Sequence, residues 1–418
     1  MKKLLKILFI VFDVVLAIVG IMFVLNNLNA SSMEEYIDTF ERVQYDEGEQ
    51  LFPGVDEHGN YYFTTDGEFK ILHLTDVHLG GGIFFSGSDK MAINAVAAMV
   101  SAEKPDLVVV TGDISFAVPW TGTLDNSYAH GFFKRLMERL GVYWTVTFGN
   151  HDSEAYNYHN REAVAKMYED SMQEYCLFSS GPDDIYGECN HVINVKNSKG
   201  IVTESLIMID SNAYTEDDVF GLGWDYDCIH DDQVAWYEGV IELYSAENKA
   251  IWEKLPESER LESCGDTASL KSLMFMHIPP TEVKDAYDEF VNNDRQNTAN
   301  VEYFGGHDGE SGQMVYCSDM PDELFESILA LGSTEGMFYG HDHLNNFVLG
   351  YKGVKLSYGY SVDYAAYAGI ASLGYQRGCT VITIGDGETE ITHENYYQDK
   401  YESLYPKEEV NMDKISAS

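Results

Sequence analysis

The stretch Val108-Val109-Val110-Thr111-Gly112-Asp113 decides the architecture. A run of β-branched residues without a charge suits a strand buried on both faces in a parallel sheet, and the closing Gly-Asp pair presents a carboxylate where the strand stops. Ligands of open α/β sheets gather outside the carboxyl ends of the strands. Four other apolar runs finish in the same way: residues 70–78 with Asp76-Val77-His78, residues 143–152 with Gly149-Asn150-His151-Asp152, residues 273–277 with His277, and residues 336–343 with Gly340-His341-Asp342-His343. Five strands are thus expected to aim Asp, Asn and His at one place.

Working outward, helices separate the strands. A Gly-rich turn (Gly80, Gly81, Gly82) precedes a helix expected over 89–103, with Met91, Val96, Met99 and Val100 as its apolar stripe. Others are expected over 132–140 and 161–172. Strands alternating with helices predict an α/β fold. Beyond residue 190 the strands at 191–195 and 205–210 flank the turn Ser198-Lys199-Gly200, and 233–243 has helical spacing. The segment 292–320, rich in Asn, Gly, Asp and Ser, is expected to be a long irregular loop of the kind that contacts substrates. Strands near Val354, at 381–384 and at 390–393 complete the sheets. The expected division is an N-terminal segment 1–30, an acidic spacer with a peripheral strand over 31–65, a catalytic domain over 66–397 and a peripheral tail over 398–418.

Asp76 and His78 are two apart, so on a strand they share a face, and His341 and His343 do the same. With Asp113, Asn150 and His277 they make seven hard or borderline ligands, suited to Mn, Fe, Zn or related divalent ions. Seven are too many for one tetrahedral ion and fit two ions sharing a bridge, for which the Asp113 carboxylate is the natural group. Any one pair alone is weak, since a lone buried His is more often a core residue than a ligand. Recurrence at five strand ends carries the reading.

In this order the motifs Asp76-x-His78, Gly112-Asp113, Gly149-Asn150-His151-Asp152, His277 and Gly340-His341-x-His343 resemble the five blocks of the calcineurin-like metallophosphoesterase superfamily. Met276-His277-Ile278-Pro279, the stretch from Gly340 to Asn346, and the segment from Gly359-Tyr360 to Arg377-Gly378-Cys379 are similar to the branch of purple acid phosphatase-related (Dcr2-type) phosphoesterases. The resemblance implies a four-layer αββα sandwich of two mixed sheets. It implies one metal on Asp76, His78, Asp113 and His343, another on Asp113, Asn150, His277 and His341, and a hydroxide bridging them as nucleophile. Asp113 and Asn150 count with the catalytic set, and His151, surplus to the ligands, is expected to protonate the leaving alkoxide or stabilise the transition state. The chain departs from true purple acid phosphatases in one place: the position three after Asp113, a tyrosine ligand to ferric iron there, is Phe116 here. No tyrosinate-to-iron colour is expected.

Several residues have two readings. Asp152 and Asp342 suit hydrogen bonds to histidines or ordinary caps. Tyr358, Tyr360, Tyr364, Tyr367 and the stretch from Trp224 to Tyr226 suit a rim around the site or packing. Arg377 suits a phosphate or a structural ion pair. Gly306-His307-Asp308 mimics the last motif but lacks its second His and reads as surface loop, and His73 reads as core.

Composition sets the outer bounds. The chain has 418 residues, and 45% apolar content indicates a folded protein. With 69 acidic against 26 basic residues the formal charge of −43 repels polyphosphate backbones, so a nucleic acid duplex is not an expected partner. Lys2, Lys3 and Lys6 precede an apolar stretch over 7–25, broken only by Asp13 and near the roughly 20 residues a spanning helix needs. Leu28-Asn29-Ala30 is a poor cleavage site, so an uncleaved membrane anchor is favoured over a removed signal; either puts the remainder outside the cytoplasm. Six cysteines are then compatible with disulfides, some of which are expected. The reading is an extracytoplasmic hydrolase of small phosphate monoesters, with a phosphodiesterase on nucleotides or glycerophosphodiesters as the alternative and a catalytically silent binding module as the reading of another class.

Overall fold

Apolar runs bounded by ligand-type turns form strands here, and two sheets result. The computed structural model describes residues 2–169, 172–260, 270–310, 312, 314–367, 369–373, 377–385, 389–408 and 410. The smaller sheet has the order Glu390–Asn395, Gly378–Ile384, Phe69–Leu74, Leu107–Thr111, Trp144–Thr147. Its last three strands are parallel, and Gly378–Ile384 is antiparallel to both neighbours. The larger sheet has nine strands: Gly54–Val55, Tyr61–Thr64, His191–Lys196, Val202–Met208, Ser272–Phe275, Thr334–Tyr339, Val354–Tyr358, Val348–Tyr351 and Val301–Gly305. Four central strands, from Val202–Met208 to Val354–Tyr358, run parallel.

Alternation along the larger sheet divides its side chains between two cores. Leu206, Met208, Leu273, Phe275 and Phe338 join the core that surrounds Ile71, Leu72 and Val108 of the smaller sheet. Ile207, Met274, Met337 and Tyr339 point the other way, under the helices Asp231–Lys254, Thr281–Asn292 and Leu324–Leu331. The helices Ser86–Glu103, Ser127–Leu140 and Arg161–Tyr168 supply Val96, Phe133 and Val164 to the outer side of the smaller sheet. This is the αββα sandwich. His73 lies between the sheets, its ring 6.1 Å from that of Phe275 and 5.9 Å from that of Phe338, with Nε2 on the Thr111 hydroxyl. Burial pushes its pKa down to about 3, as befits a neutral core residue.

The N-terminal helix, Lys2–Ile37, runs through the boundary expected at residue 30. Nothing in 26–37 breaks it, and Asn26, Ala30, Met33 and Ile37 form one stripe, three or four residues apart, with Asn29 beside it, buried against the domain. Residues 31–37 are therefore docked helix, not spacer. The segment 398–418 also departs from a peripheral tail as far as it is described: Tyr401 is buried, and Glu408 pairs with Arg377. Within 292–320, Val301–Gly305 forms an edge strand on Val348–Tyr351, hidden in the sequence by its Asn-rich flanks. The five described cysteines, Cys176, Cys189, Cys228, Cys317 and Cys379, are all free thiols, contrary to the expected pairing; Cys264 lies outside the described residues.

Candidate metal centre

The strands Phe69–Leu74, Leu107–Thr111, Trp144–Thr147, Ser272–Phe275 and Thr334–Tyr339 end beside one another, and each is followed within a few residues by its share of the seven ligand candidates. At these exits the chain turns sharply. Asp76, His78, Asp113 and His341 have φ of 51°, 50°, 52° and 74°, in the left-handed region, where Asp and His are among the better tolerated residues. Such backbone persists only where the surroundings impose it, and it gathers at functional sites. Gly149 is required by close approach, since a β-carbon there would lie 2.1 Å from Asp113 Oδ1.

Asp113 is the hub. Its Oδ2 lies 3.2 Å from His78 Nε2 and 3.2 Å from His277 Nε2, and its Oδ1 accepts the His151 backbone N–H at 2.8 Å. On one side, Asp76, His78, Asp113 and His343 bring ligand atoms within 4.8 Å of one another, all buried. On the other, His277 is held by its Nδ1 on the Thr111 carbonyl (2.7 Å) and packs edge-on to His341, ring centroids 5.2 Å apart. Asn150 donates from Nδ2 to the Tyr214 hydroxyl at 2.8 Å, which leaves Oδ1 facing inward. Buried atoms without a hydrogen-bond partner include Asp76 Oδ1, Asn150 Oδ1, His277 Nε2 and His341 Nε2. Four lone-pair atoms orphaned in one place, drawn from both ligand groups, are what a site for divalent cations presents.

The electrostatics follow from crowding. Burial opposes ionisation of Asp113, but the imidazoles of His277 and His151 hold its carboxyl well below the usual range. Burial, with His277 next, pushes His341 well below an ordinary imidazole.

Two contacts of these histidines were not legible in the sequence. Asp363, fully buried, sets Oδ1 3.5 Å from His78 Nδ1 and Oδ2 3.3 Å from His343 Nδ1. The same carboxylate accepts backbone N–H groups of Ala365, Ala366 and Tyr367 at 2.6–2.8 Å, so its position is fixed. Glu154, also buried, takes His151 Nδ1 at 2.7 Å. Asp152 and Asp342 have other duties. The Asp152 carboxylate accepts N–H groups of Asp113, Ser115 and Gly149 and so stitches two ligand loops together, whereas Asp342 accepts from Tyr358 and Asn345. Of the aromatic residues with two readings, Tyr226 and Tyr367 pack against His341 and His343, with ring centroids at 4.5 and 4.7 Å. Tyr358, Tyr360 and Tyr364 are buried. Phe116 lies 5.2 Å from both the His78 and His151 rings. Arg377 is structural, bound to Glu408, the Tyr397 hydroxyl and the Asp363 carbonyl, and Asp308 pairs with Arg295 and Tyr287. A cavity of about 840 Å³ opens beside Asn150 and Glu154, with Arg161, Tyr186 and Tyr214 in its wall.

The calcineurin-like phosphoesterase family profile matches residues 69–311, more than half of the chain. The chain belongs to that family. This calcineurin-like phosphoesterase is similar to "Probable inactive purple acid phosphatase 14" of Arabidopsis thaliana, 26% identical over 347 residues that cover 77% of this chain and 76% of the relative. It is also similar to phosphatase DCR2 of Saccharomyces cerevisiae, 25% identical over 168 residues, 36% of this chain and 28% of that protein. Among solved structures it resembles a dimetal phosphatase from Danio rerio at 12% identity, with a TM-score of 0.46 over 80% of this chain and 98% of the other.

Proposed function

We propose that the protein is a phosphomonoesterase that works with two divalent ions, one held by Asp76, His78, Asp113 and His343 and the other by Asp113, Asn150, His277 and His341. The observation that carries this reading is the Asp113 carboxylate, whose Oδ2 is shared by histidines of both groups at 3.2 Å. The orphaned oxygen and nitrogen atoms around it fit such ions. When bound, the ions would offset the charge of the phosphoryl group and lower the pKa of water. The rest falls to the chain. The Asp363 carboxylate faces the Nδ1 atoms of His78 and His343 at 3.5 and 3.3 Å, and the Tyr214 hydroxyl accepts from the Asn150 amide, which leaves the amide oxygen to the site. Glu154 engages His151 Nδ1, which leaves Nε2 to pass a proton to the departing alkoxide. The cavity beside Asn150 and Glu154 has room for the alcohol part of a small ester.

The apolar helix near the N-terminus, long enough to cross a membrane, supports an anchored, extracytoplasmic enzyme. A silent binding module is favoured by the word "inactive" in the plant relative's name. Against it, all seven ligand candidates and His151 are present and arranged in one place. The deciding experiment is hydrolysis by the purified protein, stripped of metal and reloaded with Mn, Fe or Zn, on p-nitrophenyl phosphate and bis-p-nitrophenyl phosphate, with Asp113→Asn as control. Metal-dependent turnover of the monoester, lost in the control, is expected. Preference for the diester would replace the monoesterase by a phosphodiesterase, and two bound ions without turnover of either ester would favour the binding module.

A further inference from the structure

The N-terminal helix has a direction relative to the site. The chain just past its carboxyl end at Ile37 is fastened at the amino ends of the smaller sheet's strands: the Val43 N–H donates to the Leu140 carbonyl just before Trp144–Thr147, and the Tyr45 hydroxyl to the Pro105 carbonyl just before Leu107–Thr111. Asn26, eleven residues before the helix ends, lies at the opposite end, where the ligand candidates are. Asn26 Nδ2 donates to the Gly122 carbonyl at 2.8 Å and its Oδ1 accepts the Ile83 N–H at 3.0 Å, while Asn29 donates to the Gly81 carbonyl. Gly81 and Ile83 lie on the loop after His78, and Gly122 on the loop after Asp113. The helix therefore climbs the side of the domain from the floor of the sheet to the mouth of the site and continues past it. Beyond Met22 its apolar side chains are exposed, and at 1.5 Å per residue Lys2 to Ile21 reach about 30 Å, the thickness of a bilayer's hydrocarbon.

Around the base of that projection the surface is apolar. Phe84 is 66% exposed and Trp120 62% exposed. A β-carbon on Gly122 would lie 3.0 Å from Phe84 and 3.1 Å from Met22, so Phe84 stands where the helix leaves the domain. Trp120 packs on Phe116, which packs on His151, with ring centroids 6.2 and 5.2 Å apart. The same end of the sandwich carries a second apolar tip. The 216–224 loop follows Val202–Met208, which is parallel to Ser272–Phe275, the strand that precedes His277. The loop is clamped by Asp218, whose carboxylate accepts the N–H groups of Leu222 and Gly223 at 2.8 Å, and it exposes Phe220 (59%), Leu222 (87%) and Trp224 (66%). Aromatic side chains at the foot of a spanning helix suit the headgroup layer of a membrane.

From this we infer that the helix plants the mouth of the site on the bilayer, with Phe84, Trp120 and the 216–224 loop in the interface, and that the substrate is a phosphate monoester whose alcohol is a membrane lipid. The inference rests on the hydrolase reading for its chemistry, in which water adds to phosphorus, the bond from phosphorus to the lipid oxygen breaks, and that oxygen leaves with a proton. With a net charge of −43 the surface is served by apolar contact and not by attraction to anionic headgroups. A tethered enzyme meets lipid esters at high effective concentration.

The test uses the full chain, loaded with metal, in phosphatidylcholine nanodiscs. Long-chain phosphatidic acid in the disc is compared with its water-soluble short-chain counterpart, and p-nitrophenyl phosphate reports the chemistry alone. A kcat/KM at least about tenfold higher for the embedded ester is expected. The Phe84→Ser and Leu222→Ser double variant should lose that preference yet hydrolyse p-nitrophenyl phosphate as the parent does. Equal turnover of the two phosphatidic acids would overturn the inference while leaving the hydrolase intact. Should no ester be cleaved, placement is still read by quenching of tryptophan emission with brominated phosphatidylcholine. Quenching that diminishes when Trp120 and Trp224 are both changed to Phe supports the placement, and quenching that does not change refutes it.

Discussion

Asp363→Asn should weaken one metal and spare the other. The native carboxylate gives one oxygen to each of two imidazoles, His78 Nδ1 at 3.5 Å and His343 Nδ1 at 3.3 Å. An amide keeps one acceptor and turns an NH2 group towards the second ring, so one of the two histidines loses its orienting partner. Outer partners of ligand histidines typically contribute about 10- to 100-fold in metal affinity, or about 1.4–2.7 kcal/mol. His277, in the other ligand group, is held by the Thr111 carbonyl and has no contact with Asp363. Calorimetric titration of the stripped protein with Zn or Mn should therefore show two binding steps in the parent. In the variant one step falls by that factor and the other is unchanged. If both steps keep the parent affinity, or both fall together, Asp363 does not act through these two rings.

Other outcomes are equally specific. His151→Gln should lower kcat by about 10²- to 10⁴-fold while two metals still bind, measured by turnover and metal content on the same sample. Gly112→Ala should destabilise the fold by about 2–5 kcal/mol in urea unfolding. Its φ is 78°, and a β-carbon would sit 2.4 Å from the Gly149 nitrogen. Asp210 is fully buried; desolvation opposes its ionisation, yet Arg161 holds its pKa below the ordinary value. A lowered carboxyl contributes stability that is full above the unfolded-state value of about 4 and is lost as pH falls through the folded value. Acid melts should show that loss, and Asp210→Asn, which leaves Arg161 unpaired, should cost about 3–5 kcal/mol near neutral pH and flatten the acid limb.

What could be read from the chain depended on whether the signal was local. Each ligand candidate adjoins an apolar run, because in parallel strands the fold and the site share the same few residues; Leu107–Thr111 and Asp113 are one signal. His73 was legible as core for the same reason, by alternation. The partners of the histidines were not. Asp363 lies 20 residues from His343 in a stretch where tyrosines draw attention, and only the sheet topology brings it to His78, 285 residues away. Glu154 is near His151 in sequence, but an acid at that spacing is ordinary on any surface. The N-terminal helix misled in another way. A long apolar stretch reads as a unit that ends where polarity returns, although Asn26 and Asn29 mark the residues at which the helix begins to touch the domain.

The Arg377 cluster has a consequence for biogenesis. Arg377 Nε donates to the Asp363 carbonyl at 2.7 Å, and its Nη1 meets Glu408 and Tyr397. The ligand candidates span positions 76 to 343, but the clamp on two of them is completed only by residue 408. A nascent chain still short of that point carries every ligand and lacks their final fastening. On the proposed reading of these residues, His78 and His343 would gain their final fastening only once residue 408 has joined the fold.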